Sequence, residues 1–166
     1  MTDNLTPGPI MTADLCDAHA DQLQIARPEF KAYGGRRPFG GRIHTVQVFR
    51  DNVLIRRQIE KSVTDAVLVI DGGGSLECAL VGETLAGLAE RNGWQGIVVN
   101  GCIRDAAAIA ARPIGIRALN THPLKSGKRG TGQENLPVTF AGVTFRPGEY
   151  LYADEDGMVV SATKLI

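Results

Sequence analysis

Aromatic side chains are scarce in this sequence, with five Phe, three Tyr and one Trp among 166 residues. A core of that composition has to be built from Val, Ile, Leu and Ala. An excess of charge of one sign is also missing, because 18 Lys and Arg balance 18 Asp and Glu and the isoelectric point is near 6.8. No global field is available to draw in DNA or RNA, which argues against a direct nucleic-acid binder. The three cysteines, Cys16, Cys78 and Cys102, form no C-x-x-C pair and are odd in number, so they provide neither a disulfide framework nor zinc-ligand spacing. No stretch approaches the roughly 18 apolar residues of a membrane span, and the first residues lack the basic start and apolar run of a leader. A soluble chain in a reducing cytoplasm is the expectation, with no membrane partner. The GxGxxG dinucleotide fingerprint, the GxxxxGK[ST] phosphate loop and the GxSxG nucleophile elbow are all absent, which makes NAD, ATP and a serine nucleophile poor guesses.

Glycine is what the sequence has in quantity, 20 residues of it, and the length suits a single domain over 1–166 with many tight turns. Thr12 is a possible N-cap for a short helix through Leu15, Ala18 and Ala20. The run 42–49 alternates like a strand, and a helix could start near Asn52. AVLVID at 66–71 reads as a central strand covered on both faces and ended by Gly72, Gly73 and Gly74. Residues 76–92 place Leu80, Thr84, Leu85 and Leu88 at helical intervals, with the main helix from about 83 to 92. GIVVNG at 96–101 repeats the pattern of an apolar strand followed by glycine, completing a βαβ unit of parallel neighbours. A short helix must then stop before Pro113, 114–121 is another strand, and 138–161 reads as a meander of short strands. The order is mixed α/β with added antiparallel character.

Within NGCIRDAA at 100–107, a polar pair follows an apolar strand at the edge where open α/β folds place ligands. Arg104 can grip a carboxylate with two donors, and Asp105 can offer oxygen to Mg2+ or Mn2+. The alternative is a pair that caps the following helix and bridges at the surface. Asp71 and Glu83 are possible neighbours of Arg104, or else simple helix-start carboxylates. The amides of Glu83, Thr84 and Leu85 would point outward at a helix N-terminus, where they could hold a carboxylate or enolate oxygen. Gly72 to Gly74 suit a sharp exit from the strand more than binding. His19 and His44 read as hydrogen-bonding residues of core or surface, His122 opens a basic glycine loop with Lys125, Lys128 and Arg129, Cys78 and Cys102 read as buried, and Trp94 as a core or subunit-contact anchor.

The segments FGGRIHTV, VIDGGGSLECALVGE, NGWQGIVVNGCIRDA and FAGVTFRPGEYLYADEDGMVVS resemble the family that contains the regulator of ribonuclease activity A and the class II 4-hydroxy-4-methyl-2-oxoglutarate aldolases, over about residues 12 to 161. The group has also carried a menaquinone methyltransferase label, for which the sequence lacks a glycine-rich cofactor loop of the expected kind. The resemblance implies an αββα sandwich related to swivelling phosphohistidine domains, with a mixed sheet, assembled as a ring-shaped homotrimer with sites between subunits. The aldolase branch carries Asp, twenty intervening residues and Arg-Asp; here Glu83 stands at the first position and Arg104 and Asp105 at the last two. By that resemblance Asp105 holds a divalent metal, Mg2+ or Mn2+, and Arg104 clamps a small 2-oxo acid. Gly82, Glu83, Thr84 and Leu85 bind substrate through their backbone, and Glu83 orients a water that shuttles a proton. A second subunit would complete the metal shell with an acidic residue, Asp17 and Asp21 being among the candidates. The implied reaction releases pyruvate and extends to oxaloacetate decarboxylation. The alternative it implies is a non-catalytic regulator that binds and inhibits an endoribonuclease through outer faces, the loop of Lys125, Lys128 and Arg129 among them.

Overall fold

The structure, a computed structural model, describes residues 9–166. Helix α1 (Thr12–His19) and a 3-10 turn lead to strands β1 (Leu23–Ile25), β2 (Lys31–Ala32) and β3 (Phe39–Gln47). Then come α2 (Val53–Ile59), β4 (Ala66–Asp71), β5 (Ala79–Val81), α3 (Glu83–Arg91), β6 (Trp94–Ile103), α4 (Ala106–Ala110) and β7 (Gly115–Thr121). Short strands finish the chain: β8 (Gln133–Glu134), β9 (Val138–Phe140), β10 (Val143–Phe145), β11 (Tyr150–Ala153) and β12 (Met158–Ser161). One mixed sheet runs in the order β1-β12-β11-β3-β4-β6-β7-β2, with β5 also paired to β6 and β8 to β3. Its middle, β3-β4-β6-β7, is parallel, and its flanks are antiparallel. The expected mixed α/β order is what the chain adopts.

All six residues of β4 are buried, and the alternation of the five apolar ones assigns them to two different cores. Leu68 and Ile70 pack with Ile55 and Ile59 of α2 and Leu85, Ala86 and Ala89 of α3. Val67 and Val69 pack on the other face with Phe140, Val143 and Phe145 of the β9-β10 hairpin. A strand covered on both faces has no polar side to show, which is why its sequence is an unbroken apolar run. On the hairpin side, Gly96 of β6 and Gly115 of β7 are register partners, and Phe39 lies on them so closely that a β-carbon on either glycine would overlap its ring. The buried Arg117 guanidinium stacks over that ring at 5.1 Å and donates to the carbonyls of Arg37 and Asp154.

Two local expectations need correction. Leu80 belongs to β5 and not to a helix, because Ala79–Val81 finds a ladder partner in Cys102 and Ile103 of β6. Thr12 is the first residue of α1 and not its cap; its amide and hydroxyl both donate to Asp154, at 2.7 and 2.6 Å. The helix of 83–92 and the stop before Pro113 lie where the sequence places them. The short strands of 138–161 form not one meander but two antiparallel hairpins, β9-β10 in a sheet of its own and β11-β12 in the main sheet beside β3. No helix among the described residues is long and apolar enough to cross a membrane.

Candidate active site

Strands β5 and β6 are parallel neighbours, and each ends in a turn that leads into a helix. The amide of Arg104 donates to the Val81 carbonyl at 2.9 Å, extending the pairing from the last residue of β5 to the first residue past β6. The turn after β5 is Gly82 and the turn after β6 is Arg104–Asp105, so the sheet itself brings the two predicted segments together. A β-carbon on Gly82 would lie 2.8 Å from Oδ2 of Asp105 and 3.3 Å from Cγ of Arg104. The backbone of Gly82 is extended, at φ −122°, so the glycine is required for space.

Asp105 takes the left-handed conformation, φ 59° and ψ 40°, which is strained for a residue with a side chain. Its carboxylate makes no cap bond with its own helix, α4. Instead Oδ2 accepts the amide of Glu83, the first residue of α3, at 3.0 Å. An anion at that N-terminus is favoured by the free amides and the helix dipole. The amide of Glu83 is thereby used inside the protein, which leaves those of Thr84 and Leu85, without a backbone partner among the described residues, for a ligand.

The carboxylate of Glu83 points elsewhere. Its Oε1 accepts Nε of Arg112 at 2.9 Å and also Nη2, while Nη1 of the same arginine donates to Glu90 at 3.1 Å. Asp71 is also apart from Arg104. It is buried and accepts from Asn100 at 3.0 Å and from the amide of Gly73 at 2.9 Å. The amides of Gly72 and Gly74 both donate to the Asn100 carbonyl, so the glycine run spends its donors on its own turn and has none to cradle a cofactor.

Gly82, Thr84, Leu85, Arg104 and Asp105 form one wall of a cleft of about 520 Å3. Arg56 and Arg57 of α2 and the loop residues Lys125 and Lys128 line the rest, with Glu60. Five cations therefore face two carboxylates, and the cleft is electropositive although the chain is neutral. Arg56 pairs with Glu60 at 3.1 Å and Arg57 with Glu134 at 3.5 Å. The side chains of Arg104 and Lys125 enter no salt bridge among the described residues and remain available to an anion.

The loop of Lys125 and Lys128 is exposed, as expected, but it is a wall of the cleft and not a free outer flap. Asp51, buried at 2% exposure, is what ties it down. Its carboxylate accepts the amides of Val53 and Gly130 at 3.0 Å each, and that of Arg129. Burial alone would raise the Asp51 carboxyl, but the amides of Val53, Arg129, Gly130 and Thr131 outweigh it and hold the group below its ordinary range. Bridges pair Asp51 with Gly127 and Ala79 with Lys125. Sequence reasoning passed over Asp51, whose loop partners Arg129 and Gly130 lie almost 80 positions away; a lone Asp in a turn carries no signal of them.

The remaining candidates are structural. Cys78 and Cys102 are buried, and burial pushes both thiols up, which suits packing and not nucleophilic attack. Trp94 is buried and donates Nε1 to the Ile59 carbonyl. Half-buried His44 meets it edge-on at 5.1 Å, and desolvation, with Lys61 and Arg42 nearby, lowers its pKa. His122 accepts the amide of Leu124 at 3.1 Å.

Among the described residues no three His, Cys, Asp or Glu side chains converge to hold a metal. Asp17 and Asp21 do not line this cleft. Asp105 offers Oδ1, which accepts no hydrogen bond among the described residues, Oδ2 being the atom that Glu83 contacts. One carboxylate is a suitable donor set for Mg2+, which keeps several waters and takes substrate oxygens in place of a complete protein cage.

The sequence pattern of the RraA-like family, described as Aldolase/RraA, matches residues 12–160. The chain belongs to this family. A relative from Laribacter hongkongensis, named provisionally as a 4-hydroxy-4-methyl-2-oxoglutarate aldolase, is 55% identical over 156 residues, covering 94% of this chain and 98% of its own. Among solved structures, the RNA-processing inhibitor RraA from Thermus thermophilis is 41% identical with a TM-score of 0.91, covering 94% of both chains. A protein from Geobacillus kaustophilus, named as an S-adenosylmethionine:2-dimethylmenaquinone methyltransferase, is 48% identical with a TM-score of 0.92, covering 94% of this chain and 97% of its own. The RraA-like family thus joins names of three different activities on one fold, and a choice among them has to come from the site.

Proposed function

We propose that this RraA-like chain is a divalent-metal-dependent lyase that cleaves 4-hydroxy-4-methyl-2-oxoglutarate to pyruvate and also decarboxylates oxaloacetate. The observation that carries the reading is the apposition of Gly82 with Arg104 and Asp105 at the ends of two paired strands, inside an electropositive cleft. The provisional aldolase name of a 55% identical relative supports it. The methyltransferase name is not adopted, because the glycine-run amides are consumed by Asn100 and Asp71.

In this reading Arg104 clamps the carboxylate beside the 2-oxo group with its planar fork. Asp105 is the residue that holds Mg2+ or Mn2+, which supplies Lewis-acid polarisation of the substrate carbonyl when bound. Retro-aldol cleavage gives the 4-hydroxyl proton to solvent, turns that carbon into the carbonyl of one pyruvate and leaves the electrons of the broken carbon-carbon bond on the other fragment as an enolate. The enolate oxygen accepts the amides of Thr84 and Leu85 at the start of α3 before a proton from solvent completes the second pyruvate. Lys125 and Lys128 face the far carboxylate of a diacid. Gly82 keeps the space between the two turns open, and Glu83 completes the constellation through its amide.

A ring-shaped homotrimer with a second subunit's acidic residue at the metal is part of the same proposal. A regulatory reading stands beside it: the 41% identical structure is named as an RNA-processing inhibitor, and an endoribonuclease would bind the outer surface without needing Arg104 or Asp105.

Pyruvate release from both substrates, measured with and without Mg2+ or Mn2+, tests the lyase. Metal-dependent turnover that Asp105→Ala abolishes is the expected result. Turnover by the unmodified protein no greater than the metal-only background would overturn it. A pull-down with an endoribonuclease, insensitive to Asp105→Ala, is the outcome that the regulatory reading requires.

A further inference from the structure

Glu83 is engaged at both of its ends. Its amide donates to Asp105 at 3.0 Å, and its carboxylate accepts two donors of Arg112, Nε at 2.9 Å and Nη2. Asp105 precedes the first residue of α4 and Arg112 lies two residues past its last, so one residue of α3 grips the neighbouring helix at its start and just past its end. Arg112 then reaches on to Glu90 at 3.1 Å, seven residues along α3 and therefore about two turns away on the same face. Between the two glutamates stands Gly87, where a β-carbon would lie 2.8 Å from Cζ of Arg112. The guanidinium lies directly against the helix backbone, in space that only glycine leaves.

Helix α4 needs such a grip. Its five residues, AAAIA, bury only Ile109, and a helix of that length has no stability of its own. Asp105 enters it in a left-handed conformation that costs free energy. Arg112 is well fixed for the purpose: its carbonyl accepts the amides of Gly35 at 2.9 Å and Ile114 at 2.8 Å.

Building on the lyase reading above, we propose that Glu83 and Arg112 are positioning residues whose ion pair clamps α4 to α3 and so holds Asp105 and Arg104 at the cleft, and that the Glu83 carboxylate moves no proton. The clamp also accounts for the glutamate. Aspartate, the residue of the aldolase pattern, is one methylene shorter and would draw its carboxylate back from Arg112. The wall of the cleft takes in Gly82, Thr84 and Leu85 but not Glu83, as a carboxylate committed to Arg112 requires.

The test is a double-mutant cycle of Glu83→Gln and Arg112→Lys, with Arg112→Ala as a harsher variant, all first checked by circular dichroism to be folded. Three quantities are read: hydrogen exchange of the Ile109 amide, which bonds the Asp105 carbonyl at 2.9 Å; the Kd for Mn2+ alone, by electron paramagnetic resonance; and kcat against pH. Each single change is expected to speed Ile109 exchange and raise the Mn2+ Kd by similar factors. Each is also expected to lower kcat by about 10- to 100-fold, the scale of a misplaced catalytic group, with the limbs of the pH profile unmoved. The double variant should be no worse than the poorer single, because one contact is removed twice. A Glu83→Gln loss on the order of 1000-fold in kcat with a displaced pH limb, beside a near-normal Arg112→Ala, would instead make Glu83 a proton-transfer group and overturn the clamp. Unchanged Ile109 exchange in both single variants would overturn it too. The exchange and Mn2+ readouts hold even if the unmodified protein releases no pyruvate, so failure of the lyase reading is distinguishable from failure of the clamp.

Discussion

Gly82 and Asp105 approach so closely that a β-carbon on the glycine would stand 2.8 Å from the carboxylate oxygen of the aspartate. Because the glycine backbone is extended, Gly82→Ala strains no dihedral, and its effect falls on the positions of the Asp105 carboxylate and the Arg104 side chain. Turnover of oxaloacetate should drop on the order of 100-fold while the thermal midpoint scarcely moves. Steady-state kinetics beside a thermal melt check this, and normal turnover would mean that Asp105 has room to retreat without loss.

Lys125 enters no salt bridge among the described residues and lines the cleft. Lys125→Ala should raise KM for a diacid substrate by about tenfold, the equivalent of about 1.4 kcal/mol, with little change in kcat. Product inhibition by pyruvate, which has one carboxylate, should not change. Equal weakening of both would mean that Lys125 acts through the general field of the cleft.

Asp51 yields a pH prediction. Its carboxyl is held below the ordinary value of 3.8 in the folded chain. Its stabilisation is therefore complete above that value and is lost as pH falls through the lower folded value. Asp51→Asn, which leaves amides facing a weaker acceptor, should cost about 2–3 kcal/mol at pH 7. The gap between the two proteins should begin to narrow below about pH 4 and go on narrowing as the folded carboxyl protonates, and urea unfolding followed from pH 7 down to about pH 2 measures it. A gap that persists undiminished at the lowest pH would assign the effect to packing.

Phe39 rests on two glycines of adjacent strands, so Gly96→Ala or Gly115→Ala forces the ring off its seat. Each should destabilise by about 1–3 kcal/mol, the usual cost of overpacking, without altering substrate affinity. Pairing either change with Phe39→Leu should recover part of the loss in urea denaturation.

The parallel centre was legible because its physics is local. An unbroken apolar run announces a strand covered twice, as β4 is, and glycine-bounded periodicity fixed α3. Arg104 and Asp105 were found by the same route, as the polar pair past the end of such a run. Strand β5 was not, since three residues hold no period and Leu80 also fits the spacing of the helix that follows. The pairing of Ala79 and Val81 with Cys102 and Ile103 decides it, across more than 20 positions. Family resemblance located Glu83 but not the direction of its side chain, which depends on Arg112, 29 residues away. The charges of Lys125 and Lys128 were read correctly as local, but their place in the cleft depends on buried Asp51.

The ladder between β5 and β6 shifts register between Ala79 and Val81 but still closes with the amide of Arg104 on the Val81 carbonyl. Neighbouring strands stand about 4.8 Å apart, and that spacing becomes the ruler of the site, fixed by main-chain bonds common to every residue type. Loops such as 122–132 can therefore be rewritten to admit other anions without recalibrating the distance between the two turns. A scaffold measured by its backbone and dressed by its loops can outlast the particular reaction it serves, which is one physical route by which relatives of one shape come to carry unlike names.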